Sequence, residues 1–556
     1  MQQKFLEKTL GQQIADMAAK YPDDNMIDYT DRDYSRTWKE FNDECETIAR
    51  GFMALGLKKG SHISIWGTNV PAWLLTFFGS AKMGGILVTV NTSYKVFELD
   101  YQLKQSDSEA IVLIDGYKGT SYIDIINELC PELESCEPGK LKSRRLPLLK
   151  SVIYAGDGEC PAGMVDWKDL YTLAEQTPVE EFEAVRDSCD CHEVVNIQYT
   201  SGTTGFPKGV MLTHYNILNN GQTIGDGMKF THEDRLCITV PFFHCFGMVL
   251  ALMSCISHGT PFVPIDMFNA KKVMDALATK HCTAVHGVPT MFIAMLEHPD
   301  FDKYDFSHMR TGIMAGSPCP IKTMYDVSEK MNMRDIVIVF GQTEAAPGCT
   351  MTTTEDSLET RCATVGKAFP GVECKIVDPN TGETLPAGEI GEFCARGYNI
   401  MKGYYKMPEA TAQAIDKDGW LHFGDLAVCD ENGYYKVTGR LKDMIIRGGE
   451  NIYPKELEEC LYHNDRVKDV QVIGVPSKKY GEEVCACVIL KEGEDMTEDE
   501  IKAYYKENVA FFKIPKYVWI MDEFPMTASG KIQKFVLRDM AVEKYSLQSD
   551  DSIETA

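Results

Sequence analysis

The chain has 556 residues, 44% of them apolar and 25% charged, which excludes a disordered or fibrous polymer and is too long for one compact core. Its 56 lysines and arginines face 82 aspartates and glutamates, a net charge of -26; such a surface repels phosphate backbones and anionic lipid, so nucleic acid is not an expected partner and any nucleotide site must gather its cations locally. The closest pairs among the 19 cysteines, Cys189/Cys191 and Cys485/Cys487, lack the C-x-x-C spacing of zinc sites, and most of the thiols are expected to be buried in a reducing compartment.

The N-terminal stretch Met1 to Asp24 is polar and amphipathic without an apolar signal region, which points to a cytoplasmic protein. Strand-like runs at His62–Trp66, Gly85–Val90, Ala110–Ile114, Ser151–Ala155 and Val194–Tyr199 alternate with helical periods at Trp38–Ala54 and Phe97–Gln105. That alternation predicts an α/β fold on stacked, mostly parallel sheets. The apolar run Met248–Ile256 is too short to span a bilayer, so no stable membrane insertion is expected.

From about residue 361 the glycines and turn signals thicken. Val365–Val377, Glu389–Arg396 and Tyr434–Thr438 read as a β-rich subdomain, with Glu431-Asn432-Gly433 as a hairpin turn. Residues 439–443 look like a junction. Beyond it Pro454 opens a helix with Leu457, Cys460 and Leu461 on one face, Val470–Val475 and Val484–Leu490 are strands, and Thr497 caps a helix to Asn508 with Glu500 three residues on. The expected organisation is a large N-terminal domain over residues 1–438, its β-rich part over about 361–438, a hinge at 439–443, and a small mobile α+β domain over 444–556.

The strand Val194–Tyr199 runs into Thr200-Ser201-Gly202-Thr203-Thr204-Gly205-Phe206-Pro207-Lys208-Gly209. Glycines let backbone N–H groups turn to an anion, hydroxyls add donors and Lys208 adds charge, so the loop is a cradle for a polyphosphate. It is not a Walker A loop, because Pro207 stands where the second glycine belongs, and G-x-G-x-x-G is absent.

This loop resembles the phosphate-binding signature of the adenylate-forming (AMP-binding) superfamily, and further matches follow in the family's order over about residues 10–540. The resemblance implies an ATP site made by Thr200, Ser201, Gly202, Thr203, Thr204, Gly205 and Lys208. Phe340-Gly341-Gln342-Thr343-Glu344 is similar to the family's aromatic-Gly-x-Thr-Glu motif: Phe340 stacks on adenine, while Glu344, with Thr204, holds Mg²⁺. Gly316, Ser317 and Pro318 resemble the adenine loop. Asp425 matches the acceptor of the ribose hydroxyls, and Arg440 reaches ribose or phosphate. Gly391–Gly397 and Gly403-Tyr404-Tyr405 also match and read as scaffold. Pro525-Met526-Thr527-Ala528-Ser529-Gly530-Lys531 resembles the family's P-x-T-x-x-G-K loop, which makes Lys531 the catalytic cation of adenylation.

On the same resemblance Lys442 is the hinge residue about which the small domain rotates, and Arg447, Gly448 and Gly449 meet coenzyme A. His244 gates the thiol, and Phe242, Phe243, Phe246, Leu250 and Val339 line an acyl pocket with the stretch Val285–Phe292. No basic residue sits among them to take a second carboxylate. The expected enzyme is an acyl-CoA synthetase that uses ATP and coenzyme A on a hydrophobic monocarboxylic acid. The chain looks most like medium-chain fatty acyl-CoA synthetases, including the segment Leu129 to Pro147. Long-chain and aromatic acids stay open, as do loading of an acyl carrier protein, a non-enzymatic nucleotide sensor and a homo-oligomer.

Overall fold

The computed structural model describes residues 4–200, 207–316, 319–447, 450–477, 479–509, 511–527 and 531–547, the side chains of Glu450 and Asn451 excepted. Contacts group the chain into two units, residues 1–374 with 395–421, and residues 375–394 with 422–556.

Two large sheets form the first unit. One has eight strands, with Val194–Thr200, Ile86–Thr89, His62–Trp66, Ala110–Leu113, Ser151–Tyr154 and Val165–Asp166 running parallel side by side. Lys208–Thr213 and Gly403–Tyr404 extend it antiparallel. The other has seven, of which Asp335–Val337, Thr311–Met314, Ala284–Gly287, Leu236–Ile238, Phe262–Pro264 and Asn25–Asp28 are parallel neighbours and Ser35–Thr37 closes the edge antiparallel. The expected parallel α/β architecture is therefore present, and its strand runs lie where the sequence places them.

Local chemistry sets the helix starts. Thr9, Thr37 and Thr213 each cap a helix, with Gln12, Glu40 and Asn216 closing reciprocal capping boxes. Pro71 opens the helix Pro71–Lys82, which is buried at Ala72 to Lys82. Such a helix must be apolar on every side, and Trp73, Leu74, Leu75, Phe77 and Phe78 make it so. The buried Lys82 ammonium is met by Asn42 Oδ1 at 2.8 Å and Glu46 Oε1 at 3.0 Å, as a buried charge requires. The run Met248–Ile256 is likewise interior: it forms the wide-turned helix Phe246–Met253 and the start of Ser254–His258. Among the described residues no helix is long and apolar enough to cross a membrane.

A four-stranded sheet, most of whose residues belong to the second unit, is made of Val372–Val377, Gly391–Gly397, Leu421–Cys429 and Tyr435–Arg440. The Glu431–Gly433 turn joins the last two strands as expected. A five-stranded sheet follows, built on the hairpin Val467–Ser477 and Gly481–Leu490. Alternation along that hairpin serves two cores. Val470, Val472, Val484, Ala486 and Val488 pack with Leu457, Leu461, Ile501 and Tyr505. Ile473, Val475, Cys485 and Cys487 pack with Leu537 and Ala541 on the opposite face. Cutting Leu457 or Leu461 to alanine costs about 2–5 kcal/mol. The helices Pro454–Tyr462 and Glu498–Asn508 start at Pro454 and at the Thr497/Glu500 capping box, as read from the sequence. One stretch differs: Val365–Val377 is not a single strand but two, Lys367–Ala368 and Val372–Val377, because the chain turns at Gly371, which has φ +76°.

Candidate active site

Parallel strands send their carboxyl ends to one edge of a sheet, where α/β proteins bind ligands. At those ends the first unit carries several of the expected site residues. Val194–Thr200 leads into the phosphate loop, Leu236–Ile238 leads to the Phe242–Phe246 segment, and Thr311–Met314 leads to Gly316. Gly316 has φ +89°, a conformation that a side chain resists. Ser201, Gly202, Thr203, Thr204, Gly205, Ser317 and Pro318 lie outside the described residues.

Tyr404 joins two of the expected site residues, Lys208 and Glu344. Lys208 stands opposite Thr200 in the antiparallel pair, and its ammonium sits 5.0 Å from the centre of the Tyr404 ring. Tyr404, held in register opposite Val210, donates its hydroxyl to Glu344 Oε1 at 2.8 Å. Burial raises the phenol's pKa, so Tyr404 stays a neutral donor. Glu344 itself lies in the short turn Thr343–Ala345, with its carbonyl accepting from Met401 N–H at 2.9 Å. A half-buried carboxylate held on one oxygen is a hard ligand of the type Mg²⁺ requires. Phe340 precedes it on the strand Val339–Gly341 and is half-buried. A Cβ on Gly341 would stand 1.7 Å from the Pro347 carbonyl oxygen, so only glycine fits between Phe340 and the turn.

The five residues expected around the acid are all buried, but they do not share one set of neighbours. Phe242 turns into the core: its ring centre is 5.3 Å from that of Trp73, and its amide donates to Asn69 Oδ1 at 2.8 Å. The Phe243 carbonyl accepts from Gln198 Nε2 at 3.2 Å. Phe246 faces His286, with ring centres 6.2 Å apart. His244 is half-exposed, and its Nδ1 accepts from Phe246 N–H at 3.2 Å. That bond leaves the neutral ring's proton on Nε2. Sequence reasoning passed over His286 inside the stretch Val285–Phe292. It is fully buried, its Nδ1 accepts from Ile313 N–H at 3.2 Å, and burial pushes its pKa down to about 4. A histidine within an apolar strand was the available signal.

The second unit assembles the charged group. Asp425 and Arg440 are cross-strand partners, with Arg440 Nε 3.1 Å from Asp425 Oδ1. Burial pushes the Asp425 carboxyl above the usual range, while Arg440 and then Lys531 pull it back by favouring the ionised form. Lys442 is held below the usual ammonium range, first by burial and in part by the Arg440 charge. Lys531 is set by its own loop: Thr527 N–H donates to the Lys531 carbonyl at 2.7 Å, and Lys531 N–H donates to Thr527 Oγ1 at 3.1 Å. Arg440 pairs with Asp425, and the charges of Lys531 and Lys442 are felt in the same neighbourhood, on a chain of net charge -26.

Arg447 is committed elsewhere within this unit. Its Nε is 2.7 Å from Glu483 Oε2, and its Nη1 donates to the Phe512 carbonyl at 2.7 Å. Gly448 and Gly449 lie outside the described residues.

The AMP-binding enzyme family matches residues 14–405, and the AMP-binding enzyme C-terminal domain matches residues 456–531. The chain is 51% identical over 546 residues to YngI of Bacillus subtilis (strain 168), named for acyl-CoA synthetase activity, covering 98% of this chain and 99% of that one. It is 39% identical over 545 residues to the mitochondrial medium-chain acyl-CoA ligase ACSF2 of Bos taurus, covering 97% and 88%. ATP-bound MatB from Rhodopseudomonas palustris superposes with a TM-score of 0.83 at 28% identity, covering 97% of this chain and 100% of that one. With two family domains in sequence and relatives aligned end to end, the chain belongs to the AMP-binding enzyme family, on its acyl-CoA synthetase branch.

Proposed function

We propose that this protein is an AMP-forming acid–CoA ligase acting on a hydrophobic monocarboxylic acid of medium chain length. One observation carries the reading: Lys531 and Arg440 act on the same buried carboxylate, Asp425. A ribose-binding aspartate and a catalytic lysine that share one electrostatic neighbourhood suit transfer at the α-phosphate rather than hydrolysis at the γ-phosphate. The chain length of the acid follows the likeness to the medium-chain ligase and the apolar character of Phe243, Phe246, Leu250 and Val339.

In this reading Asp425 accepts from the ribose diol and Phe340 stacks on adenine. The acid's carboxylate attacks the α-phosphorus, and pyrophosphate leaves. The nucleophile is already ionised, so no general base is needed, and catalysis is positioning and charge stabilisation. Lys531 stabilises the charge that grows at the α-phosphate. Lys208 and the hydroxyls of Thr200, Thr203 and Thr204 hold the departing phosphates. Glu344 and Thr204 would hold Mg²⁺, which would supply neutralisation of phosphate charge. Coenzyme A then displaces AMP from the acyl carbon, with His244 gating the thiol. Residues 439–443 serve as the hinge around Lys442 between the two half-reactions. Arg447, Gly448 and Gly449 are assigned the contact with coenzyme A, Arg447 being tied to Glu483 and the Phe512 carbonyl.

The test is a pyrophosphate-release screen over acids of graded length and ring content, with thioester formation followed in parallel. The expected result is a maximum for medium-chain fatty acids and a thioester product only with coenzyme A present. Thioester formation on a holo-carrier protein and none on coenzyme A overturns the assignment.

A further inference from the structure

A second cluster of chemistry-bearing side chains lies in the second unit, and the ligase reaction gives it no task. Glu392 and Cys394 sit two residues apart on the strand Gly391–Gly397, so their side chains leave the same face. His422 opens onto them from the neighbouring strand Leu421–Cys429. His422 Nδ1 is 2.8 Å from Glu392 Oε2 and 3.5 Å from Cys394 Sγ. The three ligand atoms all lie within 4.8 Å of one another. Cys394 has no exposed surface, and the Glu392 and His422 side chains are 11% and 30% exposed.

We propose that Glu392, Cys394 and His422 form a binding site for a thiophilic divalent cation of the zinc class. Ligands about 2.0–2.3 Å from a tetrahedral ion stand roughly 3.4 Å from one another. The Cys394–His422 spacing already matches, and the Glu392–His422 contact has to open by only a few tenths of an ångström. One imidazole, one thiolate and one carboxylate suit zinc, cobalt or nickel and not magnesium, which takes oxygen. Three protein ligands leave a fourth position for water or an added group. Coordination needs Cys394 as thiolate and His422 Nδ1 unprotonated, and the displaced protons pass to solvent. The site is also braced from behind, since Glu392 Oε1 accepts from Gly424 N–H at 3.0 Å; such support orients a carboxylate ligand. The other Glu/Cys/His cluster among the described residues, Glu7 with Cys191 and His192, has Glu7 and His192 side chains 67% and 56% exposed, and it serves as the control.

The experiment is a titration of the reduced, chelator-treated full-length protein with Co²⁺ in magnesium-free buffer, read by near-ultraviolet thiolate-to-cobalt absorption. The wild-type protein should develop the band and saturate. Cys394→Ala should abolish it or weaken binding by more than about tenfold, since even an outer-shell partner is worth 10–100-fold. Cys191→Ala should leave it in place. His422→Asn, which spares the buried thiol, should weaken binding by the same order as Cys394→Ala if that variant proves poorly folded. A wild-type protein without the band, or a band that survives both Cys394→Ala and His422→Asn, overturns the proposal. Neither result bears on the ligase reading, because none of these three residues takes part in it.

Discussion

The two groups of site residues are held by different physics. In the first unit Lys208, Tyr404 and Glu344 are joined by a ring contact and a neutral hydrogen bond, and sheet register sets Tyr404. In the second unit Asp425, Arg440, Lys442 and Lys531 are joined by charge, around a carboxylate whose burial works against its ionisation. The first group is placed by sheet register, on strands that are largely buried. The second group is placed by charge, and in the proposed function a ligand's hydroxyls and phosphate bind beside it. Substitutions should therefore act differently: on positioning in the first unit, on the chemical step in the second.

The largest effect should come from Lys531→Ala, which removes the one cation assigned to the α-phosphate. Steady-state thioester formation should fall by roughly 10²-fold or more. A loss of only a few-fold would return the charge-stabilising role to the first unit's Lys208. Asp425→Asn should come next. It keeps the shape but removes the charge that balances Arg440 and accepts the diol, so the KM for ATP should rise by about 10–100-fold, the worth of a charged hydrogen bond. An unchanged KM would detach Asp425 from the nucleotide. Tyr404→Phe should be milder. Losing one hydrogen bond to Glu344 should lower kcat/KM by about 3–10-fold, with the Mg²⁺ dependence moved to higher concentration because Glu344 is less well oriented. A loss that ignores the Mg²⁺ concentration would mark Tyr404 as scaffold only.

The last effect concerns stability and not rate. His214 and His286 are fully buried in the first unit, and burial pushes each from 6.5 down to about 4. Above pH 6.5 both are neutral in native and unfolded chains, and neither alters stability. Between pH 6.5 and 4 the unfolded chain binds protons that the native chain refuses, so stability is lost as pH falls through that window. At pH 5.5 the loss is about 1.4 kcal/mol per histidine. Urea melts at pH 7 and 5.5 check it, and equal midpoints would show that the two rings take up protons in the folded state.

Much of the fold is legible where the information is local. The Thr497/Glu500 capping box, Pro454 at a helix start and the Trp38–Ala54 period each depend on residues within a few positions, and each appears in place. Met248–Ile256 could be read only as apolar, because a segment buried on every side has no periodicity to distinguish helix from strand. Single-residue events also escaped: the turn at Gly371 splits a run that looks continuous in sequence. In the site, motif residues such as Lys208 and Glu344 were legible, but Tyr404, read as scaffold, is the residue between them. That contact depends on a strand closing from 60 residues away, and the Glu392–Cys394–His422 cluster on a neighbouring strand 30 residues away. Phe242 shows the converse, a motif-adjacent aromatic that the core claims through Trp73.

Single-turnover measurement of the two half-reactions with Lys531→Ala separates a role of the charged group in adenylation from one in thiol transfer. Acyl-AMP formation from ATP and acid should fall by roughly 10²-fold or more, while thioester formation from supplied acyl-AMP and coenzyme A stays near the wild-type rate. Equal loss in both halves would contradict it.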